Sequence, residues 1–157
     1  MNDTIKLYVN EKNRNRTKHQ FQMEIVLTDT RNITADQILP LYEANAWSAA
    51  QKPDLLLNGL INSHSLITAW DGDILVGLGN AISDGHLVVY YPHLLVLPSY
   101  QGKGIGHLIM DKMQEIYRDF HMQMLTADCK AIDFYKKVGF ERAGQTEPMW
   151  IYTGGDH

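Results

Sequence analysis

Cysteine is almost missing from this chain. Cys129 is the only one in 157 residues, so no internal disulfide can staple the fold, and none of the familiar cysteine-based zinc spacings can be assembled. No metal is expected. Long apolar runs are missing too, and nothing approaches the length needed to cross a bilayer. The first residues, MNDTIKLYVNEKNRNRTKHQF, hold no apolar core followed by a small-residue cleavage site. The expectation is a cytoplasmic protein without membrane association. Positive charge is scarce as well: 14 Lys and Arg stand against 18 Asp and Glu, a net charge of −4. The one basic cluster, EKNRNRTKH, reads as a solvated loop rather than a nucleic-acid footprint, and no nucleic acid is expected as a partner. Repeats, low-complexity tracts and linkers are absent, so residues 1–157 read as a single domain, with 1–22 as an N-terminal extension or an extra strand.

What is present is an alternation of strand and helix patterns. IKLYV and FQMEIVL read as strands around a polar turn region. Thr34 to Gln37 has capping-box spacing and leads into a helix carrying Ile38, Leu41 and Tyr42, with Pro40 calling for a kink or a later start. Pro53 opens a second helix with Leu57, Leu60 and Ile61 on one side. Asp71-Gly72-Asp73 joins two β-rich runs as a hairpin, since Gly readily takes a positive φ in a tight turn. HLVVYYPHLLVL is a third long strand, and Pro92 in its middle, unable to donate to a ladder, predicts a bulge or break there. From Ile105 through Phe120 an amphipathic helix of about four turns is expected. QMLTAD is a short strand. KAIDFYKKVG carries Ala131, Phe134, Tyr135 and Val138 at helical spacing and ends at Gly139, a C-cap residue. FERAG and MWIYT read as two closing strands. The fold class is therefore α/β of the mixed α+β kind: a central mixed, mostly antiparallel sheet with a splayed central strand pair, flanked by about four helices.

The segment Gln101-Gly102-Lys103-Gly104-Ile105-Gly106 lies between the long strand and the long helix. The first N–H groups of a helix have no internal partner and carry the positive end of its dipole, and glycines let a ligand approach the backbone closely. Such a turn suits a pyrophosphate. It lacks both G-x-G-x-x-G and the G-K-[ST] ending, which disfavours the usual NAD and nucleoside triphosphate readings.

Gln101, Gly104 and Gly106 at this strand–helix junction, followed by Ala131, Phe134, Tyr135, Gly139 and Phe140, form a pair of ordered motifs. Together they resemble the GNAT superfamily of acyl-CoA-dependent N-acetyltransferases, over roughly residues 23–152. The resemblance implies acetyl-CoA as acyl donor, with its pyrophosphate held by Gln101, Gly102, Lys103, Gly104, Ile105 and Gly106, and with His107 close by. It also implies pantetheine pairing with the main chain of Leu95, Val96 and Leu97, where the strand splays near Pro92. The acceptor is then a primary amine of a small molecule or peptide. A homodimer stands as an option for assembly.

Acetyl transfer from a thioester needs a neutral amine, stabilisation of the carbonyl oxygen and a proton for the departing thiolate. The resemblance places Tyr135 at the sulfur as the acid, and a phenol stays protonated near pH 7; its alternative is a core tyrosine. A backbone N–H around Leu95 would serve the oxyanion. His93 titrates in a range suited to the base, where many relatives carry a carboxylate, and a structural role competes equally. Asp128 either bonds pantetheine or caps the following helix. Cys129 reads as packing rather than as an acyl carrier, and Asp84, His86 and His121 as loop or strand-end residues. The acceptor side is expected from LYEANAWSAAQKPDLLLNGL and EPMWIY, with Trp47 and Trp150 as lining residues or as core. The competing function is an acyl-CoA-binding or sensing module without catalysis.

Overall fold

The computed structural model describes residues 2–10, 20–153 and 155, those up to residue 22 by their main chain alone. In chain order the elements are β1 (Asn2–Asn10), β2 (Gln20–Thr28), α1 (Ala35–Ala44), a 3-10 turn (Ser48–Gln51), α2 (Pro53–Ile61), β3 (Ser65–Asp71), β4 (Ile74–Ser83), β5 (Val88–Val96), α3 (Ile105–Ile116), β6 (Met122–Leu125) and α4 (Ile132–Lys137). The sheet follows the chain, β1-β2-β3-β4-β5-β6. Every neighbouring pair is antiparallel except β5 and β6, which run parallel. This is the mixed, mostly antiparallel sheet expected from the pattern, with Asn2–Asn10 paired antiparallel to β2.

Alternation along the strands feeds two cores. On one face Ile38, Leu41 and Tyr42 of α1 and Leu56 and Leu60 of α2 pack with Leu66, Leu78 and Leu95. On the other, Ile105, Ile109, Met110 and Met113 of α3 pack with Ile67, Ala69 and Val89. Each such side chain contributes on the order of 1.5–3 kcal/mol by leaving water. α3 comes unusually close to the sheet because β4 carries glycine beneath it: a Cβ on Gly79 would lie 2.8 Å from Ile109 Cγ2. α1 begins at Ala35 and keeps Pro40 inside it, so the proline does not delay its start. There the Gln37 side chain accepts the Thr34 N–H at 3.0 Å, the return half of the capping box.

Pro92 divides the sheet. β4 and β5 stay paired on both sides of it, with a register shift between Asn80 and Ile82 opposite the proline. β6 pairs only with Val88–Tyr91. A parallel ladder cannot continue through a residue with no N–H, so β6 departs, and among the described residues no strand pairs with this edge of β5 beyond Pro92. The splay falls between β5 and β6.

Two expectations need correction. Nothing from Gly139 to Thr153 is a strand, although FERAG and MWIYT carry strand-like composition. Gly144, at φ 60°, turns the chain, and short-range bonds from Gly144 N–H to Arg142 O (2.8 Å) and Thr146 N–H to Ala143 O (3.1 Å) curl it away from a ladder. Met149 is left 94% exposed. α3 also ends a turn early, at Ile116, because the Gln123 side chain donates to the Tyr117 carbonyl at 3.1 Å, while the Tyr117 hydroxyl donates to Ser65 Oγ at 2.6 Å. Both fix the chain where it turns toward β6.

Candidate active site

The glycine turn is built for open backbone. Gly102 and Gly104 have φ of 74° and 92°, and a Cβ on either would meet nothing within 4 Å. They supply left-handed backbone facing open space, where side chains would add strain and bulk. Leu108 N–H makes the first helical bond, to Gly104 O at 3.1 Å. The N–H groups of Ile105, Gly106 and His107 therefore head α3 without helical acceptors. Gly106 has a different task, since its Cβ would lie 3.3 Å from Phe134 Cζ. His107 also meets Phe134, edge to face with centroids 4.9 Å apart, so both residues brace α3 against α4. The Lys103 ammonium lies 5.0 Å above the Tyr100 ring. Tyr100 in turn donates to Asp71 Oδ2 at 2.8 Å, a bond that raises the phenol's pKa ahead of any effect of burial.

Gln101 ties the turn to the strand end. Its side-chain nitrogen donates to Val96 O at 3.0 Å and to Asn45 Oδ1 at 3.3 Å, and Asn45 Nδ2 donates to the same Val96 carbonyl at 3.3 Å. The register Leu78↔Leu95 with Leu97 N–H bonded to Val76 O (2.8 Å) turns the main-chain groups of Leu95 and Leu97 toward β4. By the alternation of an antiparallel ladder, Leu94 and Val96 point theirs to the open edge. An oxyanion donor on this edge is therefore the N–H of Leu94 or Val96, not that of Leu95.

His93 sits on the opposite side of the sheet from α3, under α1. Its Nδ1 is 2.6 Å from the Tyr42 hydroxyl, and its ring meets Trp47 edge-on at 5.1 Å. Burial holds the imidazole neutral, pushing its pKa down to about 4, and raises that of the buried Tyr42 phenol. In one tautomer the Tyr42 hydroxyl donates to Nδ1 and Nε2 carries the imidazole N–H; in the second, Nδ1–H donates to the phenol oxygen and Nε2 is the acceptor. A base at Nε2 requires the second tautomer. A cleft of about 660 Å³ opens beside His93, between the 3-10 turn at Ser48–Gln51, Tyr90 and Pro92 of β5, the segment Thr126–Cys129, and the tail. Trp47 and Trp150 both line it, from the two stretches expected to face the acceptor. Trp150 stacks on Tyr152 at 4.7 Å.

Tyr135 lies on α4 against Phe134 and Phe140. Burial, with the neighbouring Tyr90 phenol adding to it, pushes its pKa up to about 12, so it is a proton donor throughout the neutral range. Among the described residues its hydroxyl has no hydrogen-bond partner. α4 ends as the motif prescribes: Phe140 N–H bonds Tyr135 O at 3.0 Å and Gly139 N–H bonds Lys136 O at 3.2 Å, with Gly139 at φ 95°. That is a Schellman close, and the Tyr135–Phe140 ring contact is its apolar clasp. Asp128 does not cap with its side chain; its carbonyl accepts Ala131 N–H at 2.8 Å while the residue lines the cleft. Cys129 is exposed and lines the same cleft rather than packing in the core. Asp84 is a turn residue, its Oδ1 accepting three N–H groups, from His86, Leu87 and Val88; these bonds lower its pKa to about 2. His86 and His121 are exposed.

Sequence reasoning passed over Asn80. It is 4% exposed, faces His93 across β4 and β5, and donates to Ser63 Oγ at 2.8 Å. The only signal was a polar residue inside the apolar run ILVGLGNAIS. Among the described residues no three His, Cys, Asp or Glu gather as a metal site, and no helix is long and apolar enough to cross a membrane.

Residues 30–148 match the family described as an acetyltransferase (GNAT) domain. A GNAT-family acetyltransferase from Streptococcus pneumoniae TIGR4 superimposes with a TM-score of 0.72 at 30% identity, covering 82% of this chain and 98% of that one. An uncharacterized N-acetyltransferase of Porphyra purpurea is 25% identical over 127 residues, 74% of this chain and 70% of that protein. The chloroplastic GCN5-related N-acetyltransferase 2 of Arabidopsis thaliana is 36% identical over 69 residues, 43% of this chain. That match spans only 27% of the plant protein's length.

Proposed function

The chain belongs to the GNAT family of acetyltransferases, and from that premise we propose that it transfers acetyl from acetyl-CoA to a primary amine by direct attack. One observation carries the reading: the open glycine turn heading α3 lies beside the free edge of β5 beyond Pro92. A pyrophosphate fits the first, through the N–H groups of Ile105, Gly106 and His107, with Lys103 adding charge. An extended amide-bearing arm fits the second, by pairing with Val96. Acetyl-CoA supplies the acetyl group as a thioester.

The roles left to the protein follow from the side chains. With the Val96 N–H paired to the arm, Leu94 offers its N–H toward the carbonyl oxygen as charge develops there. The amine nitrogen bonds the carbonyl carbon as the carbon–sulfur bond breaks, and Tyr135 gives its phenolic proton to the sulfur and regains one from solvent. His93, neutral and oriented by Tyr42, takes the amine's proton at Nε2 in the tautomer whose Nδ1–H donates to the Tyr42 oxygen, and passes it to solvent. A non-catalytic acyl-CoA-binding module would use the same turn, but a half-buried phenol whose hydroxyl has no hydrogen-bond partner among the described residues favours the enzyme. Calorimetric titration with acetyl-CoA and release of free CoA across a panel of amines test both readings. Binding with turnover supports the transferase, binding with none supports the module, and no binding removes both.

A further inference from the structure

Lys103 is the only lysine or arginine between Leu97 and Asp111, and α3 holds no acidic residue in its first turn. Its ammonium is therefore the one permanent side-chain charge that this stretch brings to the head of α3. A lysine stem is flexible and would spread that charge over many positions. Here it has a fixed seat. A 3-10 turn at Pro98–Tyr100 sets the Tyr100 ring three residues upstream, left-handed glycines stand on both sides of Lys103, and the ammonium rests 5.0 Å above the ring centre. Asp71, at the end of β3, meets the same ring, since the Tyr100 hydroxyl donates to its Oδ2 at 2.8 Å. One phenol thus carries a cation on its face and an anion at its tip. Among the described residues no carboxylate forms an ion pair with Lys103.

We propose that Tyr100 is a positioning residue for the anion site: it holds the Asp71 carboxylate at its hydroxyl and the Lys103 ammonium on its face, so that the charge stays available to the diphosphate of an acyl-CoA on the glycine turn. The inference rests on the acetyl-transfer reading above and adds Tyr100 and Asp71 to its donor-binding side. The strengths of the contacts argue for it. A solvent-exposed cation over an aromatic face is held weakly, and a phosphate at a helix N-terminus, where the dipole already favours negative charge, holds it more firmly. The ammonium leaves the ring easily for such an anion. A carboxylate would compete for it. With Phe at this position the aromatic face is kept but the bond to Asp71 is gone, and the released carboxylate, no more than a ring's length away, draws Lys103 to itself.

The test measures CoA affinity of the full chain by calorimetry at low and high salt, with thermal melts as the check on folding. Wild-type affinity should fall as salt rises, and Lys103→Met should bind more weakly at low salt and respond less to it. Tyr100→Phe should lose roughly two- to fivefold at low salt. Two further variants separate positioning from packing. Tyr100→Phe combined with Asp71→Asn should regain most of the loss, and in a Lys103→Met background Tyr100→Phe should change nothing more, because the group it acts through is gone. If the variant carrying Asp71→Asn does not fold, the Lys103→Met background decides alone. A loss that Asp71→Asn leaves in place, or that persists without Lys103, makes Tyr100 a packing residue and overturns the proposal, as does wild-type affinity in folded Tyr100→Phe. Wild type that binds CoA with this coupling but acetylates no amine upholds the placement of Tyr100 while the transferase reading fails. Wild type that binds no CoA overturns both.

Discussion

Gly106 and Phe134 meet so closely that a single added methyl would lie 3.3 Å from the ring. The glycine turn and the FY motif, 28 residues apart in sequence, are thus one packed joint between α3 and α4. Gly106→Val should therefore be a stability variant before it is a binding variant. Overpacking of this kind costs about 1–3 kcal/mol, and a chain of this size loses about 2–4 °C of melting temperature per kcal/mol. Thermal melts would show the fall, and an unchanged melt would mean that the joint yields freely.

Gly104 separates the two effects differently. Its φ of 92° strains any other residue by about 1–2 kcal/mol, but a new Cβ touches nothing within 4 Å. Gly104→Ala should melt slightly lower and bind acetyl-CoA more weakly, because the methyl occupies the approach to the N–H groups of α3. Equal affinity in the folded variant, measured by calorimetry, would remove the turn from the binding site.

Tyr135→Phe keeps the ring contacts with Phe134 and Phe140 and removes one proton. Loss of a general acid typically costs about 10²–10⁴-fold in rate, and acetyl-CoA affinity and melting should hold. With the phenol's pKa pushed up to about 12 by burial, wild-type single-turnover rates should show no loss from Tyr135 ionisation below about pH 11. Equal rates in the variant would return Tyr135 to the core.

His93 makes stability depend on pH. Burial holds its folded pKa at about 4, below the ~6.5 of an unfolded histidine. Above pH 6.5 neither state is protonated and the contribution is fully present. As pH falls from 6.5 toward 4 the unfolded chain takes a proton that the folded one refuses, and roughly 3 kcal/mol is lost. The Asp84 window lies lower, between its usual 3.8 and about 2. Urea unfolding at pH 7.5, 6 and 5 should show the decline in wild type and a flatter course in His93→Gln; parallel courses would contradict the assignment.

Local patterns announced the elements whose causes are local. Gly72, at φ 57°, closes the hairpin that Asp71-Gly72-Asp73 spelled out, Pro53 sits at the first position of α2, and Gly139 ends α4 in the left-handed conformation. What the pattern could not give depends on partners far along the chain. MWIYT has the composition of a strand, but a strand exists only against a neighbour, and no period encodes whether one is in reach. Tyr42 and His93 are 51 residues apart, and Asn80 and Ser63 are 17 apart; each pairing is invisible until β4 and β5 lie beneath α1 and α2. Cys129 looked like packing because lone cysteines are usually buried, yet it stands exposed on the wall of the cleft.

The Val96 carbonyl, held by both Asn45 and Gln101, gives the free edge of β5 a grain. One of its outward acceptors is already spoken for at both lone pairs, while the N–H of the same residue is left facing out. An extended molecule laid along this edge therefore meets a donor without its usual companion acceptor, and reversing its direction does not present the same sequence of groups. The strand tells one end of a guest from the other through two side chains that need never touch it.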